Sequence, residues 1–375
     1  MIKVKKECVL IKPKDVKSTS KKLEVVGTFN PGATRVSNGD IVLYVRVAEK
    51  IIKNEDENYC YSPRCEGKNK CEIKIDKFEK KDVMSNSYFD CIFKDGTKRL
   101  TFISHLRRVI LDRTGFKVKS IDSNPSFQGL SHDGEYGVED PRITKIGSKY
   151  YMTYVSLSKL GNISTNYAVS DDCKNWERRG TIFSEQNKDC VLFPEKINKK
   201  YYCFNRPEGN FEFSLPHIWL SDSPDLNHWG NSKPLALSKK GKWDYSRIGA
   251  GPPPIKTDNG WLLIYHGVIE RNKKGTINSI RTIFGMGEKF SVYSAGAALF
   301  DLKNPKKLLA KTPSPLIVPT QEYEKKGFVD NVVFPTGMVL DENKKDVLIY
   351  SGGGDFVVSV KKIALKDIIG SLKEI

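Results

Sequence analysis

The chain has 375 residues and a formal net charge of +17, with 29 glycines, 18 prolines and 10% aromatic residues. It contains no apolar run long enough to cross a membrane and no long stretch with helical periodicity. The lysines of the first six residues are not followed by an apolar segment, so we expect no secretory signal and a cytoplasmic location.

The positive charge comes mainly from lysines scattered through predicted surface turns and through the first 25 residues. This distribution favours a soluble, well-charged surface, and it also fits a positive field that attracts an anionic substrate. The basic residues do not gather on one element and match no nucleic-acid-binding motif. We therefore expect neither nucleic acid nor a membrane among the partners.

Five similar units follow one another along the chain, each with a proline-marked turn that leads into a short apolar strand. The turns are Asn30-Pro31-Gly32-Ala33, Glu139-Asp140-Pro141-Arg142-Ile143, Phe193-Pro194-Glu195-Lys196-Ile197, Pro252-Pro253-Pro254-Ile255 and Phe334-Pro335-Thr336-Gly337-Met338. The β-rich runs after them are 41–47, 150–155, 201–204, 261–265 and 347–350. Such a repeat is typical of propeller blades. The sequence predicts an all-β fold, a five-bladed β-propeller, with the residues beside the prolines around one pocket.

We expect a single catalytic domain over residues 1–375, closed by pairing between the N-terminal segment and the last strands, near residues 356–363. Closure by terminal pairing removes the sheet edges that invite aggregation. Two insertions interrupt the pattern, at about residues 49–98 and 269–292. The first is predicted to separate the first two blades. Both are candidates for the edge of the pocket or for a subunit contact.

Eight cysteines without a secretory signal indicate reduced thiols in a cytoplasmic protein. Four of them, Cys60, Cys65, Cys71 and Cys91, lie in the first insertion. Their spacing matches no common zinc module, so we predict no metal and leave open loose thiols, a local disulfide or an unusual zinc site.

Asp140 is the candidate catalytic acid. Because proline follows it, we expect an extended backbone that directs the carboxylate into the pocket. A neighbouring acid, Glu139, favours a raised pKa for Asp140, as general acid catalysis requires. The alternative is an aspartate that only caps a turn.

Cationic side chains occur on the later units: Lys188, Arg206, Arg247 and His266. Three cations and an imidazole on successive inner segments would form a phosphate or sulfate site. With an ordinary pKa of about 6.5, His266 would be partly protonated near neutral pH. The alternative for each is an ordinary surface charge, although buried like charges are costly without an anion.

Several long motifs, in order, make the chain resemble glycoside hydrolase family 130. They are Gly137-Val138-Glu139-Asp140-Pro141-Arg142-Ile143, Val191-Leu192-Phe193-Pro194-Glu195-Lys196, Ile248-Gly249-Ala250-Gly251-Pro252-Pro253-Pro254-Ile255 and Trp261-Leu262-Leu263-Ile264-Tyr265-His266-Gly267-Val268. The resemblance covers most of the chain apart from the insertions. It implies a five-bladed β-propeller and an inverting phosphorylase, a hexosyltransferase that cleaves a β-mannoside with inorganic phosphate to α-D-mannose 1-phosphate.

The resemblance also implies residue roles. Asp140 matches the proton donor, which in characterised mannosylglucose phosphorylases acts through the 3-hydroxyl of the mannosyl ring. Lys188, Arg206, Arg247 and His266 match phosphate ligands, and Asn30, Arg46 and Asp355 match sugar contacts. Phosphate is then a co-substrate and no cofactor is implied. A bound phosphate is already a nucleophile, so no second carboxylate is needed to activate water.

Two departures from the family pattern concern the site. Asn205 stands where the family has histidine, and Ala48 stands where it has glutamate. The alternatives to the phosphorylase are a β-mannosidase of the same family and, from another class, a non-catalytic sugar-binding propeller. The linkage, the acceptor sugar and the oligomeric state, a homo-oligomer included, stay open.

Overall fold

The computed structural model describes residues 2–52, 56–208, 213–235, 237–272 and 289–375. The strands in these ranges are β1 (Val4–Ile11), β2 (Leu23–Arg35), β3 (Ile41–Ile51), β4 (Tyr59–Glu66), β5 (Glu72–Glu79), β6 (Val83–Asn86), β7 (Asp90–Phe93), β8 (Lys98–Leu100), β9 (Phe102–Leu111), β10 (Val118–Ile121), β11 (Val138–Ile146), β12 (Lys149–Ser158), β13 (Asn162–Ser170), β14 (Glu177–Phe183), β15 (Asn187–Leu192), β16 (Tyr201–Pro207), β17 (Trp219–Ser223), β18 (Gly230–Pro234), β19 (Arg247–Ala250), β20 (Ile255–Thr257), β21 (Gly260–Asn272), β22 (Lys289–Phe300), β23 (Leu308–Lys311), β24 (Val333–Leu340), β25 (Asp346–Gly353), β26 (Val357–Ala364) and β27 (Lys373–Glu374).

Helical structure is confined, within the described ranges, to four short pieces. They are two 3-10 turns, Pro13–Asp15 and Lys80–Asp82, and the helices α1 (Glu322–Lys325) and α2 (Leu365–Gly370). None of these helices is long and apolar enough to cross a membrane. The prediction of an all-β protein is confirmed. Of the predicted 269–292 insertion, residues 273–288 lie outside the described residues.

Five antiparallel sheets account for most of the described strands. In strand order they are sheet 1 (β2-β3-β9-β10), sheet 2 (β11-β12-β13-β14), sheet 3 (β15-β16-β17-β18), sheet 4 (β19-β21-β22-β23-β27, with β20 beside β21) and sheet 5 (β24-β25-β26-β1). The five β-rich runs predicted from the sequence lie in β3, β12, β16, β21 and β25, each of which is the second strand of its sheet.

Each sheet packs on its neighbours through a separate apolar core. Sheets 1 and 2 share a core around Tyr44 and Met152, and sheets 2 and 3 share one around Tyr151 and Leu192. The core between sheets 3 and 4 contains Phe204 and Trp261, and the core between sheets 4 and 5 contains Ile264 and Ile349. Sheet 5 also packs on sheet 1, through a core around Tyr350 and Val45. Because both faces of a strand such as β3 are covered, its sequence is apolar almost throughout rather than alternating.

The first strands of the sheets lie next to one another. β2 contacts β11 and β24, β15 contacts β11 and β19, and β24 contacts β21 and β22 of sheet 4. The two ends of the chain also meet, since β1 pairs antiparallel with β26, with Cys8 opposite Val360. The predicted pairing of the N-terminal segment with the last strands is confirmed.

The prolines of three units lie inside strands and not in turns before them, so the predicted turns are wrong there. Pro31 and Pro141 lie at β-bulges in β2 and β11, and Pro335 lies at a bulge in β24. The residues before the first two, Asn30 and Asp140, have φ of 47° and 49°. The extended backbone expected for Asp140 is therefore wrong, because the bulge requires the left-handed region that Asn and Asp tolerate best.

The first insertion forms a hairpin, β4-β5, and a small sheet, β6-β7-β8. It lies between β3 and β9, which pair directly with each other in sheet 1. The insertion therefore connects two neighbouring strands of sheet 1, and the prediction that it separates two blades is wrong. Cys65 and Cys71 form a disulfide, whereas the other six cysteines are free thiols, so the expectation of eight thiols is wrong for this pair.

Candidate active site

Asp140 and Asn30 meet where the bulges of β11 and β2 adjoin. The Nδ2 amide of Asn30 donates to Oδ1 of Asp140 at 3.0 Å, and Nη1 of Arg46 donates to the same oxygen at 3.0 Å. Nη2 of Arg46 lies 2.5 Å from Oε1 of Glu139, so one guanidinium holds two carboxylates. Three of the predicted site residues, Asn30, Arg46 and Asp140, are thus in direct contact.

The protonation of this group differs from the expectation. Burial raises the pKa of Asp140, but Arg46, Arg142 and the Asn30 amide outweigh it and hold that pKa below its ordinary value. The prediction of a raised pKa for Asp140 is therefore wrong. The sequence pattern showed the neighbouring acid but not the guanidinium from another strand.

Asp355 has the raised pKa instead. It occupies the turn between β25 and β26 with φ of 49°. Burial raises its pKa most, Arg46 lowers it, and the charges of Asp140 and Glu139 raise it as well, so that the resulting pKa is about 7. Three carboxylates therefore share one guanidinium, and Asp355 keeps a proton at pH values where an ordinary aspartate has lost it.

A second cluster surrounds the carboxylate of Asp189, at the bulge of β15. Oδ2 of Asp189 lies 3.0 Å from Nε of Arg206 and 3.6 Å from Nε2 of His266. Gly249, opposite His266 in sheet 4, makes this approach possible, because a Cβ there would lie 2.3 Å from Asp189 Oδ2 and 2.4 Å from the imidazole. Two of the predicted phosphate ligands are therefore held together by an acid.

Arg247 joins the cluster through Glu208. Oε1 of Glu208 lies 3.1 Å from Nη1 of Arg206 and 3.6 Å from Nε of Arg247. Nη1 of Arg247 donates to the hydroxyl of Tyr293 at 3.0 Å. Lys188 is opposite Arg206 in the register of β15 and β16; burial raises the pKa of Asp189, but the charges of Arg206, Arg142 and Lys188 help to hold that pKa below its ordinary value. All four predicted phosphate ligands thus belong to one cluster.

His266 is completely buried and packs against the ring of Phe334, with the ring centroids 4.4 Å apart. Burial and the nearby arginines lower its pKa against the opposing effect of Asp189, and the resulting pKa is about 3. The imidazole is therefore neutral near neutral pH, and the expectation of a partly protonated His266 is wrong. A neutral imidazole still offers one N–H donor to an anion.

Arg142 connects the two clusters. Its side chain is 1% exposed, and Nη1 donates to the backbone oxygen of Asp140 at 2.8 Å. Nη2 lies 3.4 Å from Oδ1 of Asp189, and Nε donates to the backbone oxygen of Gly251 at 2.7 Å. We call the residues around Asp140, namely Asn30, Arg46, Glu139, Asp140 and Asp355, the acid group. We call those around Asp189, namely Lys188, Asp189, Arg206, Glu208, Arg247 and His266, the cation cluster. Arg142 thus fixes the spacing between the acid group and the cation cluster.

Buried polar atoms without a hydrogen-bond partner concentrate in this region of the described chain. They include Nε and Nη1 of Arg206, Nε of Arg247, both ring nitrogens of His266, Oε1 of Glu208, Oδ2 of Asp189 and Oδ1 of Asn30. The ion pairs above bring charges close, but these atoms make no hydrogen bonds within the described residues. Buried groups of this kind are normally satisfied, so the cluster points to a polar ligand.

A cavity of about 1070 Å³ adjoins the acid group. Arg46, Glu139 and Lys188 line it on one part of its surface. Residues of the first insertion line another part, among them Phe78, Phe93, Arg99 and Leu100. The insertion therefore borders the space in front of the site, as one of the two alternatives for it anticipated. No group of three or more potential metal ligands occurs in the described ranges.

The two departures from the family pattern lie outside both clusters. Asn205 donates to Ser221 Oγ at 2.9 Å and accepts from the Asn187 amide at 3.0 Å, within sheet 3. Ala48 packs with Phe29 and Phe102. Neither substitution leaves a buried side chain without its partners.

Sequence reasoning missed three residues of the site as participants, Arg142, Asp189 and Glu208, and used Glu139 only as the neighbour of Asp140. The pattern Asp189-x-x-Leu192, which repeats the spacing of Asp140 and Ile143 near the start of an inner strand, could have revealed the first carboxylate of the cation cluster. Glu208 has no comparable signal, because its role depends on arginines from two different sheets.

Comparison with known proteins places this site in a family. A family model described as beta-1,4-mannooligosaccharide phosphorylase matches residues 113–374. A beta-1,2-mannobiose phosphorylase of Listeria innocua is 33% identical over 97% of this chain and 96% of its own length. A 1,2-beta-oligomannan phosphorylase of a Thermoanaerobacter species is 36% identical over 67% of this chain and 74% of its own length.

The fold agrees with these matches. The solved structure of a beta-1,2-mannobiose phosphorylase from Listeria innocua, in complex with beta-1,2-mannobiose, superimposes with a TM-score of 0.83. It covers 96% of both chains at 31% sequence identity. Since both the family model and a relative spanning nearly the whole chain agree, the protein belongs to glycoside hydrolase family 130.

Proposed function

We propose that this protein is an inverting glycoside phosphorylase that cleaves a β-mannoside with inorganic phosphate and releases α-D-mannose 1-phosphate. In reaction terms it is a hexosyltransferase, because the mannosyl group passes to phosphate and not to water. The relatives described above are named as phosphorylases of mannosides, which supports an enzyme of this type.

The observation that carries the proposal is the cation cluster with its unsatisfied buried donors. Arg206, Arg247 and His266 present buried side-chain nitrogens that make no hydrogen bond within the described residues. An oxyanion supplies hydrogen-bond acceptors and neutralises the charge, and arginine binds it through two parallel hydrogen bonds. A hydrolase needs only water here, and water leaves the excess charge uncompensated.

In the proposed mechanism Asp140 gives the proton and phosphate attacks the anomeric carbon from the side of Arg206 and Arg247. Inversion follows because one displacement takes place on the opposite face from the leaving group. Asn30, Arg46 and Asp355 hold the mannosyl ring beside Asp140. Arg142 keeps the acid group and the phosphate ligands at a fixed separation, which favours the aligned geometry that displacement requires.

The proton for this step is available in the acid group. With its pKa of about 7, Asp355 keeps its proton in about half of the molecules in neutral solution, beside the ionised Asp140. The two carboxylates interact strongly, so they titrate as a pair, and the pair holds one proton below about pH 7. Binding of the sugar to Arg46 would leave less of that guanidinium for Asp140, and the proton would then move towards Asp140.

We also propose that the five sheets are the blades of a five-bladed β-propeller that forms one catalytic domain. Five cores between five successive sheet pairs support this arrangement, since sheet 5 packs on sheet 1 as well as on sheet 4. The first strands, which carry Asn30, Asp140, Asp189 and Arg247, would then surround a common axis. The first insertion would border the acceptor side of the pocket.

The decisive experiment incubates the protein with β-1,2- and β-1,4-mannobiose, with and without phosphate, and identifies the products. We expect turnover only with phosphate and α-D-mannose 1-phosphate as the product. The reverse reaction, with α-D-mannose 1-phosphate and a panel of acceptor sugars, identifies the linkage and the acceptor. Phosphate-independent release of free mannose would establish the β-mannosidase instead, and no turnover would favour the sugar-binding propeller.

Arg206→Ala provides the second test. Only phosphate loses a ligand in this variant, so the KM for phosphate should rise by roughly 10- to 100-fold while the KM for the mannoside changes little. Arg179→Ala, which removes an arginine that is paired with Glu177 on the surface strand β14, is the matched control and should leave both constants unchanged. An equal change in both constants for Arg206→Ala would contradict the assignment.

A further inference from the structure

Glu208 is a carboxylate in a cluster that the proposed function assigns to an anion. Its side chain is 18% exposed, and Oε1 lies between Nη1 of Arg206 and Nε of Arg247 at 3.1 and 3.6 Å. None of these three atoms makes a hydrogen bond within the part of the chain that the structure describes. A carboxylate in this position repels an incoming anion unless the two share a proton. The presence of Glu208 in an anion site therefore needs a chemical explanation.

The charges of the cluster define the ligand that fits it. Its cations are Arg206, Arg247 and Lys188, Arg142 lies beside them, and its carboxylates are Asp189 and Glu208, which leaves two net positive charges. His266 is neutral because burial and the nearby arginines lower its pKa to about 3. A dianion therefore neutralises the cluster. Monohydrogen phosphate and sulfate are both dianions of similar size, so charge does not distinguish them.

The hydrogen-bond donors and acceptors of monohydrogen phosphate and sulfate do distinguish the two anions. Monohydrogen phosphate has one O–H group that needs an acceptor, whereas sulfate near neutral pH has only acceptor oxygens. The carboxylate oxygens of Glu208 are acceptors with no proton of their own when ionised. Phosphate can donate to Glu208, but sulfate would bring two sets of lone pairs together in a largely buried site, which is costly.

We propose that Glu208 accepts the proton of monohydrogen phosphate and makes the site select protonated oxyanions, phosphate and arsenate, over sulfate. This inference rests on the proposed phosphate site and adds a specificity residue to it. Asp189 does not serve in the same way, because Arg142, Arg206 and His266 already surround its carboxylate. Among the described residues Glu208 forms ion pairs with the two arginines, and it borders the cluster from the end of β16.

The test measures the binding of sodium phosphate, arsenate and sulfate to the whole protein by isothermal titration calorimetry, at neutral pH and constant ionic strength. Wild type should bind phosphate and arsenate with similar affinity, and sulfate about 100-fold more weakly. Glu208→Gln offers an amide N–H to sulfate, so the preference for phosphate over sulfate should fall roughly 10-fold or more. Glu208→Asp keeps the carboxylate and should retain most of the preference.

Glu177→Gln is the matched control. It removes the same charge from a glutamate that is also paired with an arginine, but on the surface strand β14, where its side chain is 66% exposed. The preference for phosphate should not change in this variant. Thermal unfolding of all variants checks that each is folded before titration.

Two outcomes would overturn the inference while the proposed function stands. One is wild-type protein that binds sulfate as tightly as phosphate. The other is a Glu208→Gln variant that binds both anions more tightly by the same factor, which would mean that Glu208 only competes with anions. If wild type bound none of the three anions and cleaved a mannoside without phosphate, the proposed function itself would fail.

Discussion

Asp140 combines an unfavourable backbone with a carboxylate that two donors hold in place. A non-glycine residue with φ of 49° costs stability of order 1–3 kcal/mol, and such residues concentrate where function requires a particular side-chain direction. Asn30 and Asp189 have the same feature at the bulges of two other first strands. Three strained residues thus direct three polar side chains into the candidate site.

Asp140→Asn tests the role of the acid. The amide keeps the shape and can still accept hydrogen bonds from Asn30 and Arg46, but it supplies no proton. Turnover should fall roughly 10²- to 10⁴-fold, the usual scale of lost acid catalysis, while calorimetry should show that sugar binding persists. Asp172→Asn is the control, because Asp172 only caps a surface turn through the backbone N–H groups of Lys174 and Asn175. Near-normal phosphorolysis by Asp140→Asn would exclude the role.

Asp355 determines the expected pH dependence. Its pKa is raised to about 7, so it is protonated below pH 7 and ionised above it. Ionisation places a third negative charge beside Asp140 and Glu139, and kcat/KM for the mannoside should therefore fall as pH rises through about 7. In Asp355→Asn the acid group loses this proton, so turnover near neutral pH should fall and the decline centred at about pH 7 should be absent. A decline that persists in the variant would assign it to another group; neutral His266 should contribute none.

The residues that form the candidate site could largely be predicted from the sequence, but their protonation states could not. Asp140, Arg206 and His266 lie within or beside motifs that are recognisable along the chain. Their pKa values depend on partners distant in sequence, such as Arg46 for Asp140 and the buried surroundings of His266. The expected protonation was wrong for both, because the local sequence contains neither the partner nor the burial.

Among the elements, the strands could be predicted and the bulges could not. The apolar runs that form β3, β12 and β25 are long enough to define strands on their own. Asn30-Pro31 and Asp140-Pro141 look like turns, because Asn, Asp and Pro are typical turn residues. The neighbouring strands pair on both sides of each bulge and so keep these residues inside the sheet.

Helix α1 supports the turn that carries Asp355 and depends on a buried ion pair. Nζ of Lys361, whose side chain is 2% exposed, lies 2.8 Å from Oε1 of Glu324 in α1. The other oxygen of Glu324 accepts the backbone N–H groups of Thr320 and Gln321. The segment after α1 continues this support, since the N–H of Val329 donates to the backbone oxygen of Gly354.

Lys361→Met leaves the carboxylate of Glu324 buried without its cation. The free energy of unfolding should fall by about 3–5 kcal/mol, the usual cost of breaking a buried ion pair from one side. Lys325→Met is the control in helix α1, because Lys325 is 46% exposed and its partner Glu322 is 81% exposed, so this variant should lose only about 0–1 kcal/mol. Urea unfolding measures both, and equal losses would contradict the special role of the buried pair.

At the scale of the whole molecule, the two ends of the chain complete sheet 5. β1 adds the outer strand to β26, and Ile11 at its end is fully buried in the core shared with sheet 1. The sequence allowed this pairing to be predicted, because a ring of repeated units that closes through its two ends leaves no exposed sheet edge there. It did not allow the insertion to be positioned, because nothing local indicates that β3 and β9 pair across it.

Deletion of residues 1–11 should therefore destabilise the whole protein. It exposes the edge of β26 and removes Ile11 from the core between sheets 5 and 1, so the loss should be several kcal/mol, a large part of the about 5–15 kcal/mol that stabilises a typical domain. Deletion of residues 373–375 is the matched control, because β27 is short, exposed and adds little to sheet 4. Thermal unfolding should show a much lower Tm, or aggregation, only for the N-terminal deletion, and a synthetic peptide of residues 1–15 should restore the Tm in part. Equal Tm values for the two deletions would show that the terminal pairing does not stabilise the fold.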